Sequence, residues 1–425
     1  MPHNTPSTSA ANPFLDREDV LVAIRRAFAN RDQLYPQHRA ELKKRLEPLA
    51  VELDQLQANG HPMICADQIR LEAQWLLNYR DDWERASRRL DDLERSLADT
   101  ARLGPIQDED GSWGRCCTEW YRKLEPTVDA LQGNLQGALK PLLFMQKLQD
   151  PSRTLNYLYQ LQISDIETTG INNRDELGAV QSALSQLIFK DQLRDLLANR
   201  SLGFGISPEL EACYIDYLEQ TQHPRTGFWG PWYRFGDRLI MVQDLSFTFH
   251  MIQYRSGNIS KWPLVIDSTL AIRDLVYPAG WRPSVEVQYN NHNNYDVVSI
   301  FYFGWPHMSA QQKLCARQAI KSMLDWCLTK SLGDEEFSPD GGSILDAYYF
   351  GIRFLDRVGF WDPSKRFWLH KLPDAPAGTP TPHDLCKRLQ RGFAKLKDAS
   401  EEGETVRDLL RVAECVSSLG ESSRA

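Results

Sequence analysis

The chain is poor in strand signals. Few alternating β-branched runs occur, and its single Asn-Gly pair, Asn59 and Gly60, lies between two leucine seams of helical period instead of between strands. A sheet-based architecture is excluded on that ground, and with it the βαβ context that a dinucleotide fingerprint requires. No run of about 18 apolar residues is present, which excludes a spanning helix. Basic stretches are short: 49 Lys and Arg against 57 Asp and Glu give a net charge of -8, so the counterion release that drives general nucleic-acid binding has no source. The eight cysteines are scattered, and the adjacent pair Cys116 and Cys117 lacks metal-ligand spacing, so neither a metal nor a disulfide framework is expected and the thiols read as reduced. The segment SPDGG at 338–342 lacks the Lys and spacing of a phosphate-binding loop, and nothing implies a cofactor. Residues 1–14 carry neither a charged n-region nor an apolar h-region, so the expected location is cytoplasmic.

What the chain has is helical periodicity. After a disordered tail at 1–14, residues 15–103 read as an antiparallel helical hairpin preceded by a short helix around Asp19 to Asn30. Its first arm steps through Leu42, Leu46, Leu49, Leu53 and Leu56, interrupted by Pro48, which should kink or divide the helix. The second arm runs through Leu76, Tyr79, Trp83, Ala86, Leu90, Leu93 and Leu97. Such a hairpin can pack along the rest of the chain or against a second copy, giving a homodimer. Residues 104–204 supply linking helices, and residues 417–425 a frayed tail.

From 205 to 416 the chain acquires a rhythm. Three times a helix leads through a long loop to a helix apolar nearly all round, beginning at about 244, 293 and 344, a period of about 50 residues. The helix from Ser309 to Lys330 is amphipathic, with Ala316, Ile320, Met323 and Cys327 opposite Lys313, Arg317 and Lys321. The helix from Asn293 to Phe303 is apolar on every side after its first turn and must be surrounded by neighbours. Alternating outer amphipathic and inner buried helices describe an all-α fold, an α/α toroid, complete or incomplete, of five to seven hairpins. In such a ring the long loops share one face with the N-termini of the inner helices.

Two motifs carry resemblances to known families. Tyr217, Leu218, Gln222, Gly227, Phe228 and Trp229, with a shorter echo at Gln107, Gly111 and Trp113, resemble the QW repeat of terpene cyclases and prenyltransferase β-subunits, which are α/α toroids. The resemblance implies a structural role, with the Gln bonding backbone ends of helices and the Trp stacking beneath it. The acid and metal motifs of terpene cyclases, and the zinc ligands of prenyltransferases, have no counterparts here. Asn290, Asn291, His292 and Tyr295 are similar to the NNH-x-Y motif of toroidal alginate lyases, with the Tyr one residue farther along. That resemblance implies an enzyme cleaving uronate-containing sugars.

β-Elimination of a uronate requires that the carboxylate be neutralised, the neighbouring proton removed and the leaving oxygen protonated. Asn291 and Asn293 can donate amide hydrogens to the carboxylate, helped by the free N–H groups of the helix start. His292 is a suitable base and Tyr295 or Tyr289 a suitable acid. Asn290 and Asn294 complete the amide cluster. Arg234, Arg238 and Arg282 can hold anionic sugar groups, in an arm, 225–290, with seven Lys and Arg against five Asp and Glu. Trp229, Trp232, Tyr233 and Trp281 can stack on a ligand. Asp244, Asp296 and Asp340 or Asp346 lie at equivalent starts of three inner helices and are the carboxylates of a hydrolase alternative. The same residue types also have plainer uses: Asn and Asp cap helices, and His250 and His307 lack the company of a metal site. The expected function is a carbohydrate-active enzyme, a lyase or hydrolase acting on an oligosaccharide, with a terpenoid cyclase-like enzyme and a noncatalytic helical interaction module as the alternatives.

Overall fold

The structure, a computed structural model, describes residues 35–422 except 60, 62–63, 78–82, 99–106, 114–115, 118, 134–137, 170–171, 200–201, 285, 334–335, 339–343, 370–380 and 397–400. The tail at 1–14, the helix expected at Asp19 to Asn30, and Asp340 lie outside the described residues. The described chain is mostly helical.

The N-terminal unit has its own apolar core and three helices where two were expected. Helix α1 (Tyr35–Ala58) carries Pro48 without a break. Helices α2 (Ile64–Trp75) and α3 (Trp83–Ala98) replace the single long second arm. Leu46 and Leu53 of α1 are buried with Ile69, Leu76, Leu90 and Leu93. The leucine seam is thus consumed within the chain. Arg89, buried on α3, pairs with the buried Glu72 at 3.0 Å and donates to the Cys116 carbonyl at 2.8 Å. Arg85 pairs with Glu119. A disulfide joins Cys65 to Cys116 across a sequence separation of 51, with Cα atoms 5.4 Å apart. The expectation of uniformly reduced thiols fails at this pair. The two cysteines are far apart in sequence, so spacing alone could not register them.

The second core takes in the remaining helices: α4 (Leu124–Gln132), α5 (Pro151–Gln162), α6 (Arg174–Phe189), α7 (Asp191–Asn199), α8 (Pro208–Thr221), α9 (Leu245–Tyr254), α10 (Trp262–Ala271), α11 (Asn291–Gly304), α12 (Ala310–Trp326), α13 (Ile344–Arg357), α14 (Pro382–Leu396) and α15 (Glu401–Ser422). Local chemistry sets many of the starts. Asp150 and Ser207 cap helices that open with Pro, whose missing N–H costs nothing there. Ser309 and Gln312 form a reciprocal capping box on α12. Helix α15 runs on to Ser422, so the expected frayed tail is helical through that residue. Among the linking helices, α6 and α7 are parted at Lys190, whose backbone is extended.

Helices α4, α6, α9, α11, α13 and α15 pack in that order, each on the next. Named contacts at both ends show that the first five run in the same direction. Arg122, just before α4, meets Asp175 in the first turn of α6, and Gln132 meets Gln186 at the other end. Arg174 meets Asp244 at the starts of α6 and α9, and Ser185 meets Met251 farther down. Phe249 packs on Tyr295, and Gly257, with φ +80°, lets Phe303 approach where a Cβ would stand 2.9 Å from its ring. His292 stacks on Phe350, while Arg357 covers Tyr302. Parallel neighbours need a return segment on the outside, and α5, α8, α10, α12 and α14 fall between them in sequence.

Sheet is present after all, in a small amount. β1 (Ile163–Ser164) pairs parallel to β2 (Trp232–Phe235), which pairs with β3 (Arg238–Met241) in register Trp232 to Met241 and Phe235 to Arg238. The turn Gly236–Asp237 closes a hairpin inside what reads in sequence as a long loop. The two strands are only four residues each, too short for a period-2 pattern to stand out.

Cross-linking 51 residues limits the unfolded chain, and the chain-entropy relation gives about 4 kcal/mol for a loop of that size. Cys116→Ser is therefore expected to weaken the N-terminal unit by about that amount, read as a lower denaturant midpoint of its helical signal. An unchanged midpoint under oxidising conditions would show that the bond contributes nothing.

Candidate active site at the converging helix starts

Because α6, α9 and α11 run in parallel, their N-termini meet at one end, and each brings unpaired backbone N–H groups and a partial positive charge. The sequence answers with acceptors. Asp244 Oδ1 accepts from the Phe247 amide at 3.0 Å, capping α9, and Asn290 Oδ1 accepts from the Asn293 amide at 2.8 Å, capping α11. The second oxygen of Asp244 accepts from Arg174 Nε at 2.7 Å, which ties the start of α6 to the start of α9. Both groups are buried, and the pair is charge-assisted on a site from which water is largely excluded. Burial opposes the Arg174 charge and Asp244 more than restores it, so the guanidinium is held above its ordinary range.

His292 is the second residue of α11. Its ring stacks on Phe350 of α13 at 4.1 Å between centroids and 16° between planes, and tilts against Tyr277 at 5.4 Å. The side chain keeps 41% of its surface accessible, yet protein crowds it closely enough that desolvation lowers its pKa to about 4. Part of the ring is thus open to solvent while the rest packs against Phe350 and Tyr277. His250, one helix away, is lowered to about 3 by burial first, then by His292 and Arg174. Both imidazoles are neutral at pH 7.

One turn along α11, Asp296 is fully enclosed. Its Oδ2 accepts from the Tyr277 hydroxyl at 3.2 Å and lies 3.9 Å from His292 Nε2, while Oδ1 has no hydrogen-bond partner among the described residues. Burial drives this carboxyl well above the ordinary range; the Tyr277 bond pulls it down and Asp244 pushes it up. Tyr277 is itself raised well above its usual value, by burial and then by Asp296. The centre therefore places a carboxyl whose burial favours its un-ionised form beside a neutral imidazole, with one ion pair behind them.

The remaining expected residues divide by place. Asn291 donates to Ser331 at 2.7 Å and Asn293 to the Trp281 carbonyl at 2.8 Å, both buried, so these amides tie the start of α11 to the helical segment that follows α12 and to the loop before α11. Asn294 is buried, and its Nδ2 has no partner among the described residues. Tyr295 is buried between Phe249 and Phe350. Asp346 lies in the first turn of α13, one turn before Phe350, and so on the same side as His292. Trp229 and Trp281 are buried in the core; the Trp229 indole donates to the Leu218 carbonyl at 2.8 Å, and Gln222 donates to the Gly227 carbonyl at 2.8 Å. Gln107 makes the matching bond to Gly111 at 2.9 Å. Tyr233 is buried and donates to Asn172 at 3.3 Å, which places the β2–β3 hairpin beside the start of α6. Arg234 and Arg238 project from that hairpin as exposed side chains, while Trp232, Arg282 and Tyr289 are partly exposed. Tyr289 tilts against Trp326 at 6.2 Å.

Two members of the centre were not among the expected ones. Arg174 precedes the repeated units, and Tyr277 sits in a loop with no periodic signature. Their only sequence signal is a basic residue and a hydroxyl within reach of inner-helix starts, which becomes visible once the helices are known to be parallel.

No protein-family model, curated protein or solved structure matches the chain. Among the described residues no group of His, Cys, Asp and Glu is arranged to hold a metal ion, and no helix is long and apolar enough to cross a membrane.

A carboxyl whose folded-state pKa lies above its unfolded value stabilises the fold fully at low pH, and that stability is lost as pH rises through the folded value. Asp296 is such a group. Asp296→Asn, which keeps the shape and the Tyr277 contact, is expected to gain melting temperature relative to the parent as pH is raised from mildly acidic to alkaline. A difference that does not change with pH would mean Asp296 ionises normally.

Proposed function

We propose that the chain is a carbohydrate-active enzyme of α/α-toroid architecture, a lyase that cleaves uronate-containing oligosaccharides by β-elimination. The observation that carries this reading is His292: a neutral, partly accessible imidazole where parallel helix starts converge. The toroid reading is supported by the parallel order of the inner helices and by Tyr254 of α9, which lies near enough to Glu125 and Asp129 of α4 and to Tyr349 of α13 to feel their charge.

Elimination makes different demands from hydrolysis. Hydrolysis uses two carboxyl groups facing one bond, one as acid and one as base or nucleophile. Here Asp244 has both oxygens engaged, by a backbone amide and by Arg174, and Asp296 is enclosed. The group left to take a proton is His292, which is neutral and accessible. The partial positive charge at the helix starts favours the substrate carboxylate and the enolate-like charge that develops on it. Arg234 and Arg238 on the β2–β3 hairpin, with Arg282, Trp232 and Tyr289, supply a basic and aromatic rim for the rest of an anionic sugar chain.

One observation favours a second reading. Asp296, a neutral acid bonded to Tyr277, is the kind of group that protonates an alkene in a terpenoid cyclase-like enzyme.

With uronate oligosaccharides as the probe, the expected product carries a conjugated double bond at the new non-reducing end, followed by its ultraviolet absorbance. His292→Ala is expected to lower that rate by about 100-fold or more with an unchanged circular-dichroism spectrum. Saturated sugar products, or full activity in His292→Ala, contradict the lyase; cyclisation of a linear polyprene that Asp296→Asn abolishes would establish the second reading instead.

A further inference from the structure

His292 poses a difficulty for the proposed elimination when taken alone. Burial that keeps it neutral also makes it a weak base, since the imidazolium it would become is poorly solvated. Asp296 has the opposite property. The burial that raises its pKa makes its carboxylate a strong proton acceptor. The two are one helical turn apart, with Nε2 and Oδ2 at 3.9 Å, and the Tyr277 hydroxyl fixes that same oxygen. At 3.9 Å they are not hydrogen-bonded, so a transfer between them requires the pair to close to hydrogen-bond distance.

We propose that Asp296 acts through His292 as the far end of a proton relay: His292 takes the ligand's proton on Nδ1 while passing its Nε2 proton to Asp296 Oδ2. This role deepens the proposed elimination and rests on it. The C–H bond beside the substrate carboxylate breaks, its proton bonds to Nδ1, and its electron pair forms the double bond as the C–O bond to the leaving sugar breaks. The Nε2–H bond breaks in the same step and Asp296 becomes the neutral acid. On return Asp296 gives its proton back to Nε2, and Nδ1 delivers the other to the leaving oxygen. One proton enters and one leaves, and the imidazole carries no charge before or after either transfer. Asp296 is a positioning residue in this scheme, since it is enclosed and touches no ligand.

The charged and titratable groups around the pair are Tyr277 from the loop before α11, Asp244 and His250 from α9, and Asp346 from the first turn of α13, while Arg174 of α6 acts on Tyr277 and His250. Phe350, from α13, faces it with an apolar ring. Tyr277 favours the carboxylate by donating to it, and Asp244 disfavours it. The relay therefore works as a base above the ionisation of Asp296, so activity should rise toward alkaline pH.

The test needs no substrate. Nitrogen-15 spectra of the full chain report which ring nitrogen of His292 carries the proton. Below the ionisation of Asp296 the acid donates to Nε2 and the proton sits on Nδ1; above it, the carboxylate accepts from Nε2–H. A pH-dependent switch between the two neutral tautomers is expected in the parent and absent in Asp296→Asn. Tyr277→Phe, which removes one donor to the carboxylate, should move the switch upward by about one pH unit. No switch in the parent, a switch that persists in Asp296→Asn, or one unmoved in Tyr277→Phe would overturn the relay. A tautomer switch without unsaturated product sinks the uronate reading and leaves the relay intact; product without a switch does the reverse.

Discussion

Five helices that run the same way side by side bring their positive ends together, and the rest of the molecule is arranged around that constraint. Asp244 meets it in two directions, accepting the first backbone amides of α9 and the guanidinium at the start of α6. Asn290 meets it at α11. With those acceptors in place the next carboxyl along, Asp296, has no cation of its own among the described residues, and burial leaves it as an acid. Capping, ion pairing and the unusual state of Asp296 are thus consequences of one packing direction.

That order also separates support from chemistry among the amides. Asn291 and Asn293 look like substrate donors in sequence, but their side chains hold Ser331 and the Trp281 carbonyl. They tie the start of α11 to the helical segment after α12 and to the loop that precedes α11. Removing either would leave a buried polar partner unsatisfied, a cost of about 1–3 kcal/mol. His292, by contrast, keeps accessible surface, and Arg234 and Arg238 of the hairpin are exposed.

Much of the helical order was legible because burial writes itself into composition. A helix apolar on all sides, such as the one ending at Gly304, has to be surrounded, and its start is marked by an amide-rich cap. Gln222 and Trp229 close their own turn, Gln222 donating to the Gly227 carbonyl and the Trp229 indole to the Leu218 carbonyl. Breaks were harder. Pro48 stays inside α1, whose leucine seam packs on other helices, whereas the second arm of the expected hairpin divides where no proline stands. Tertiary packing outweighs local propensity in both cases. The Cys65–Cys116 bond, the β2–β3 hairpin and the Tyr277–Asp296 contact depend on pairings between segments distant in sequence or too short to show a period, and no window along the chain contains them.

Everything at the converging helix starts turns on Asp296, whose burial favours the un-ionised carboxyl beside a neutral His292. Infrared difference spectroscopy of the parent against Asp296→Asn reads this directly. The account predicts a carbonyl stretch of a buried, un-ionised carboxylic acid at neutral pH that disappears in the variant. A difference spectrum showing only the symmetric and antisymmetric stretches of a carboxylate would contradict it.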